Sequence, residues 1–378
     1  MIPAVPAYLG QQFETAPPGH RFSVYFSVWS PQNWEIDKTR KATALKKVLQ
    51  LPAASHEQIE ALRERQQRLL LALPETGRLM LAAVTTAPLV TGMGMEHPLE
   101  NGFAFLNPYG IPYLPGSGIK GVLRRAAEEL RDAGSGWSDE IVEKLFGHQD
   151  SDDARRGALV FWDSIPEIKG NALAMDVMTP HYGEYYQGEF SPHDAGQPNP
   201  IVFMVIPPES RFTFQVMADE DRLPEGLLAG RWKTLLAAAA EHAFEWLGFG
   251  AKTSVGYGAL ERDRDAETEQ ERQYREAEKK MLEEKERRAR LAAMSPLERD
   301  IGEIGSIEAL VKALEQGHWS GDDQGRAATM IRDKMVSEKV WREKSEKKRP
   351  EKDKQYQRTL RVMKFLGNRD TTGHEHTD

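Results

Sequence analysis

The sequence predicts an α+β fold: a ferredoxin-like or RRM-like core with long insertions, followed by a helical C-terminal extension. Three observations predict it. Counting from Arg78, segments of strand and helix character follow one another as strand, helix, strand, strand, helix, strand. The connections 91–115 and 169–200 far exceed ordinary loops of roughly 2–6 residues, the mark of inserted binding loops. Beyond Leu260 the chain becomes densely charged with helical spacing.

The elements take their order from local pattern. Residues 21–29, RFSVYFSVW, alternate aromatic or β-branched with small polar residues and read as a strand. Ser55 and Gln58 have the spacing of a capping box, and Ile59, Leu62, Leu69 and Leu73 recur at helical intervals, which predicts a helix over 57–73. A strand over 78–86 ends at Pro88 in a run with Gly92, Gly94, Pro98 and Gly102. Ser117 is placed to cap the next helix, whose stripe is Ile119, Val122, Leu123, Ala126, Ala127 and Leu130. At 100° per residue, Lys120, Arg124 and Arg131 share one flank as a basic stripe. A short helix over 139–146 precedes strands over 157–164, 201–206 and 211–218, with Pro207 and Pro208 at the turn between the last two. A helix over 225–246 presents Leu228, Trp232, Leu235, Ala239, Ala243 and Trp246 on one face, and a last strand covers 255–260.

Residues 261–294 read as a solvated connecting helix, with Glu271–Arg275, Glu276–Lys280, Glu283–Arg287, Glu284–Arg288 and Glu286–Arg290 at the favourable i, i+4 spacing. Ser295-Pro296-Leu297-Glu298 opens a small helical module over 295–366, and 367–378 read as a polar, unstructured tail.

Composition narrows the function. The 378 residues contain no cysteine, which excludes disulfides, thiolate metal sites and a cysteine nucleophile, and fits a reducing, cytoplasmic address. No signal-peptide pattern opens the chain, and no apolar run reaches the roughly 20 residues of a membrane span. The net charge of −8 argues against wrapping nucleic acid with the whole surface, so any contact with phosphate must be local. Charges are unevenly spread: 23 basic and 31 acidic residues precede position 261, and 27 of each follow.

Two segments could make that contact. Gly116-Ser117-Gly118-Ile119-Lys120-Gly121 is a glycine turn feeding a helix N-terminus, where free amides and the helix dipole favour an anion and Lys120 and Arg124 add charge. The plainer reading is a capped helix with solvated cations. Gly248 to Gly258, GFGAKTSVGYG, supplies glycines for close approach, with Gly250, Lys252, Thr253, Ser254, Gly256 and Tyr257 as a backbone clamp with a stacking ring. A glycine-rich turn into a strand is the alternative. Ala251 stands where a phosphate-binding nucleotide loop needs glycine before its lysine, and the segment ends a helix instead of opening one, so nucleotide hydrolysis is a poor reading.

Those segments also carry a resemblance. PYLPGSGIKGVLRRAAEEL resembles the helix-opening motif of RAMP proteins of type III CRISPR systems, and WLGFGAKTSVGYG their C-terminal glycine-rich loop. KLFGHQ, GALVFWDS, MDVMTPHYGEYYQG and PNPIVFMVI between them are similar to the family of sixth subunits of type III-B Cmr complexes, and the resemblance spans roughly 8–260. It implies a RAMP RNA-binding domain over 1–260 that contacts guide RNA near its 3′ end beside other RAMP subunits, meets target RNA within the complex, and needs no catalysis or cofactor. By motif, Gly116, Ser117, Gly118, Lys120, Arg124, Gly250, Lys252, Thr253, Ser254, Gly256 and Tyr257 become the expected RNA contacts.

Against this stands a metal-independent, guide-processing RNA endonuclease of the same superfamily, for which His181 or another imidazole would be the base, with Tyr182, His193 and Asp194 in the same loop as His181. No paired-ligand spacing supports a metal there. Asp150, Asp152 and Asp153 read as a solvated turn.

Overall fold

In the computed structural model, which describes residues 1–148, 154–179, 200–228, 230–347 and 349–366, the chain divides into two compact units, Met1–Ala277 and Glu278–Asp378. In chain order α1 (Pro18–Ser23), α2 (Lys41–Lys46) and α3 (Ala53–Leu71) precede strand β1 (Arg78–Thr85). The short strands β2 (Phe105–Leu106) and β3 (Ile111–Pro112) lead into α4 (Gly116–Asp132) and α5 (Asp139–Phe146). Then come the pair β4 (Gly147–His148) and β5 (Arg155–Arg156), strand β6 (Leu159–Phe161), the ribbon β7 (Ala174–Met178) and β8 (Ile201–Val205), and strand β9 (Arg211–Ala218). Helix α6 (Arg231–His242), strand β10 (Leu260–Arg262) and the charged helix α7 (Arg264–Ala293) follow.

Four strands form one sheet in the order β10-β1-β9-β6, and every neighbouring pair is antiparallel. The register sets Leu79 against Val216, Leu81 against Phe214 and Ala83 against Phe212, so the alternating apolar residues of both central strands share one face. That face is buried. Phe214 meets Phe244 and Phe249 at 5.2 Å between ring centroids, and Ile119, Leu123, Ala126 and Ala127 of α4 and Trp232, Leu236, Ala239 and Ala240 of α6 complete the same core. On the outer face Met80 joins Leu70 and Leu71 of α3, Trp162, and Tyr274 of α7 in a smaller cluster.

Several expected elements are built differently. Residues 21–29 do not make a strand: Pro18 opens α1, which ends at Ser23, Phe22 in it and Phe26 beyond it are both buried, and Trp29 makes only single bridges to Ile2 and Ile36. Ser55 does not cap α3, which starts earlier, after Pro52, and buries Ser55 in its first turn. The strand at 201–206 exists but pairs with β7 in a separate ribbon, so the fourth strand of the main sheet is the short β6. Gly230, with φ of 88°, delays α6 to Arg231, and the helix ends in a widened π turn over Ala243–Leu247. There Trp246, expected on the core face, is 71% exposed. Positive φ at Gly256 and Gly258 breaks the expected strand over 255–260, and pairing begins only at Leu260.

In the second unit α8 (Pro296–Ile304) starts with the expected capping box, in which the Ser295 amide donates to Glu298 Oε2 at 2.6 Å and the Glu298 amide donates to Ser295 Oγ. Helices α9 (Ile307–Glu315), α10 (Asp322–Ser337) and α11 (Lys354–Leu366) bury Leu310, Val311, Ala327, Ile331, Met335 and Val362 between them. Of the ion pairs expected along α7, Glu271–Arg275 and Glu284–Arg288 form, at 2.7 and 3.0 Å. No helix among the described residues is long and apolar enough to cross a membrane.

One polar contact ties the loop after β1 to α1. The His97 ring stacks on Phe22 at 3.6 Å, accepts the Leu99 amide at Nδ1 and donates from Nε2 to the Phe22 carbonyl. Burial lowers its pKa from the usual 6.5, opposed by the bond to Phe22. A depressed histidine takes up its proton more readily in the unfolded chain, so its contribution is complete above pH 6.5 and is lost as pH falls through the lower folded value. Thermal unfolding of wild type should therefore lose more stability on acidification below that pH than unfolding of His97→Gln, whose amide keeps a donor and an acceptor without titrating. Equal losses would refute the assignment.

Candidate nucleic-acid interface

The first glycine segment lies at the β6 edge of the sheet. Gly116 is the first residue of α4 and is buried against β6, where a Cβ would collide with the Phe161 carbonyl oxygen. Its amide donates to Asp163 Oδ1 at 2.7 Å. An internal carboxylate thus takes part of the anion site expected there, and Gly116 is a packing residue. Ser117 does not cap: Pro115 stands at the N-cap, and no side chain accepts from the first turn in the manner of a cap residue. Pro115 has no N–H, and the Ile119 amide already reaches the Pro115 carbonyl, so the first-turn amides with no partner among the described residues are those of Ser117 and Gly118.

Both residues are exposed, and at Gly118 and Gly121 an added Cβ would meet nothing within 4 Å. The helix surface is bare backbone at this point. The basic stripe beside it is mostly neutralised. Arg124 donates to Glu128 at 3.0 Å and to the Gly147 carbonyl at 3.0 Å, and Arg131 binds Asp132 and Asp139. Lys120 alone of the three makes no hydrogen bond or ion pair with a described residue.

The second segment lies at the β10 edge. Here the chain after β1 crosses the loop: the Ala251 amide donates to the Val90 carbonyl at 2.7 Å and the Gly258 amide to the Pro88 carbonyl at 2.8 Å. A Cβ on Gly250 would strike the Val90 carbonyl and one on Gly258 the Phe249 carbonyl, and φ is +89° and +72° at the two positions. These glycines serve the crossing. At Gly256, with φ of +93°, the space is open. Lys252 itself takes a left-handed conformation with φ of 61°, and its ammonium lies over the Phe203 ring at 6.0 Å with no ion pair to a described carboxylate. Thr253, Ser254 and Val255 form a single 3₁₀ turn, with Ser254 and Val255 exposed.

Tyr257 is not free to stack on a base. Its hydroxyl donates to Asp176 Oδ2 of β7 at 2.7 Å, and its ring packs with Phe203, Val90 and Val205. Burial first, and then the Asp176 carboxylate, push its pKa up to about 12. Together these contacts latch the loop onto the β7–β8 ribbon. Asp163 and Asp176 were not singled out in the sequence, because lone aspartates carry no pattern. Trp246 faces away from the core, against the helical period, because the π turn rotates it off that period.

The two segments do not form one pocket. They occupy opposite edges of the sheet, three strand spacings apart, or roughly 14 Å at ~4.8 Å per spacing. His181, Tyr182, His193, Asp194 and Asp150, Asp152 and Asp153 lie outside the described residues. Among the described residues no group of three His, Asp or Glu side chains converges to hold a metal ion.

Comparison with known proteins adds a likeness to one family. Residues 83–261, which carry both glycine segments, match the model of the RAMP superfamily. The chain is 31% identical to the CRISPR system Cmr subunit Cmr6 of Pyrococcus furiosus over 47% of this chain and 65% of that protein. It is 27% identical to the Cmr subunit Cmr6 of Saccharolobus solfataricus over 43% of this chain and 49% of that one. The chain thus spans less than two thirds of the length of either relative. A chain in the cryo-EM structure of the type III-B Cmr-beta bound to cognate target RNA matches with a TM-score of 0.42 and 21% identity, over 60% of this chain and 71% of that one. The crystal structure of Cmr6 from P. furiosus matches at 0.31 and 28%, over 49% and 97%.

The two kinds of glycine separate experimentally. Gly250→Ala should lower stability by about 1–2 kcal/mol or more through its left-handed backbone and the Val90 carbonyl, whereas Gly118→Ala, exposed within α4, should be neutral or stabilising by up to about 1 kcal/mol. Urea unfolding of the two variants checks this, and equal effects would contradict the packing role of Gly250.

Proposed function

We propose, for a chain that resembles the Cmr6 subunits and matches the RAMP superfamily over 83–261, that it is a non-catalytic subunit of a type III-B CRISPR RNA-guided complex. It binds the guide RNA by its backbone near the 3′ end, caps the RAMP filament, and works beside other RAMP subunits where target RNA is held. In this reading the sheet order β10-β1-β9-β6 with its two helices is the ferredoxin-like, RRM-like RAMP core. The helices after Ser295 are then its C-terminal extension.

The observation that supports the reading is the pairing of an unneutralised lysine with bare backbone at two places. Lys120 stands by Gly118 and Gly121, and Lys252 by Gly256. A phosphate needs a cation and open N–H groups at short range, and in a protein of net charge −8 such sites are not a general property of the surface. Contacts of this type hold sugar and phosphate and carry no direct sequence information. Separation of the two sites fits an extended strand that runs across the breadth of the sheet.

Binding of single-stranded RNA by a Lys120→Glu, Lys252→Glu double variant, measured across a salt series, tests the proposal. Losing two phosphate contacts should reduce the slope of log affinity against log salt by about 1.4, at ~0.7 per contact, and weaken binding at low salt at least ~10-fold. An unchanged slope and affinity in a folded variant would sink it.

A further inference from the structure

On the outer face of the sheet, Thr213 and Gln215 of β9 line a cleft of about 240 Å³ walled by α3 and α7. Its lining is rich in side-chain amides: Gln66 and Gln67 from α3, Gln215 from the strand, and Gln270 and Gln273 from α7, beside Tyr274. Gln215 is only 7% exposed, and its Oε1 has no hydrogen-bond partner. Whichever way that amide is turned, one end of it is buried and unmet, a cost that a ligand group would remove.

The other amides are partly committed and keep capacity to spare. Gln66 Nε2 donates to the Asp163 carbonyl at 2.7 Å and Gln273 Nε2 to Glu269 at 2.9 Å, which leaves their acceptor oxygens available. Glu60 and Glu64 face a single guanidinium, Arg63, which is itself bound to Glu167 at 3.2 Å. That excess of negative charge disfavours a phosphate. Ile165 is the one aliphatic side chain among the described lining residues, so the cleft is a poor seat for the apolar anchor of a protein partner. A neutral, flat group with donors and acceptors along one edge fits, and a nucleobase is such a group. Glutamine amides pair in two places with adenine in particular.

We propose that this glutamine-lined cleft receives one unstacked nucleobase of a single RNA strand, edge first, with Gln215 and Gln270 as its hydrogen-bond partners. Single-stranded RNA is commonly read in this way, through bases turned out of the stack. The inference deepens the RNA-binding reading above and rests on it for the source of the base. It adds base contact to a protein whose glycine segments can hold only backbone.

Adenosine, which has no phosphate, reports on the cleft independently of Lys120 and Lys252. Saturation-transfer NMR on the full chain should show transfer to the adenine protons, reduced at least twofold by Gln270→Ala on the half-exposed wall and by Gln215→Leu. The same variants should weaken single-stranded RNA binding by roughly 10-fold. Absence of transfer, or transfer and RNA affinity equal in wild type and both variants, would overturn the cleft assignment while leaving the backbone reading standing. Transfer that depends on Gln270 and Gln215, together with RNA binding indifferent to Lys120 and Lys252, would support the cleft and remove the backbone reading instead.

Discussion

Close passage of one main chain over another, at points where no side chain fits, is the constraint on which the arrangement of this protein depends. Gly250 lies under the Val90 carbonyl and Gly116 against that of Phe161. Each crossing fastens a glycine-rich segment to one edge of the sheet. The neighbouring glycines, 118, 121 and 256, are then left with nothing above them. Glycine has two distinct uses here: some positions let the protein close on itself, and those next to them leave bare backbone facing outward.

Electrostatics makes the same division. Most arginines in the core unit are already matched: Arg124 with Glu128, Arg131 with Asp132 and Asp139, and Arg262 with Glu241 and Glu267. Helix α7 pairs its own charges along its length. Such exposed pairs add little stability individually, at roughly 0.2–1 kcal/mol, but they remove cations from competition for a polyanion. Lys120 and Lys252 are among the cations without a described acidic partner, and each has open glycine backbone beside it. The acidic overall balance and a local hold on RNA are therefore compatible.

Much of this was legible in the sequence wherever periodicity was long. The eight-residue alternations of β1 and β9, the apolar stripe of α4 and the Ser295 capping box all follow from spacing alone. Short or interrupted segments were not legible. The aromatic run at 21–29 alternates like a strand, but its first three residues close the helix that Pro18 opens and the rest is irregular. The strand at 201–206 has strand composition, but no local signal says that it joins a ribbon instead of the main sheet. Within the candidate site, the glycine density and the lysines were visible. Which glycines are sealed under Val90 or Phe161 was not, because the obstructing carbonyls come from residues far away in sequence. The commitment of Tyr257 to Asp176 was hidden for the same reason.

The central claim is that the backbone left open at the two segments, with one lysine beside each, is where an RNA strand lies. Because the chain has no native cysteine, nitroxide labels can be placed singly at Ser117→Cys and Ser254→Cys and read by electron paramagnetic resonance as single-stranded RNA is titrated in. The account predicts that both labels lose mobility over the same concentration range in which RNA binds. RNA bound at saturation with both spectra unchanged would contradict it.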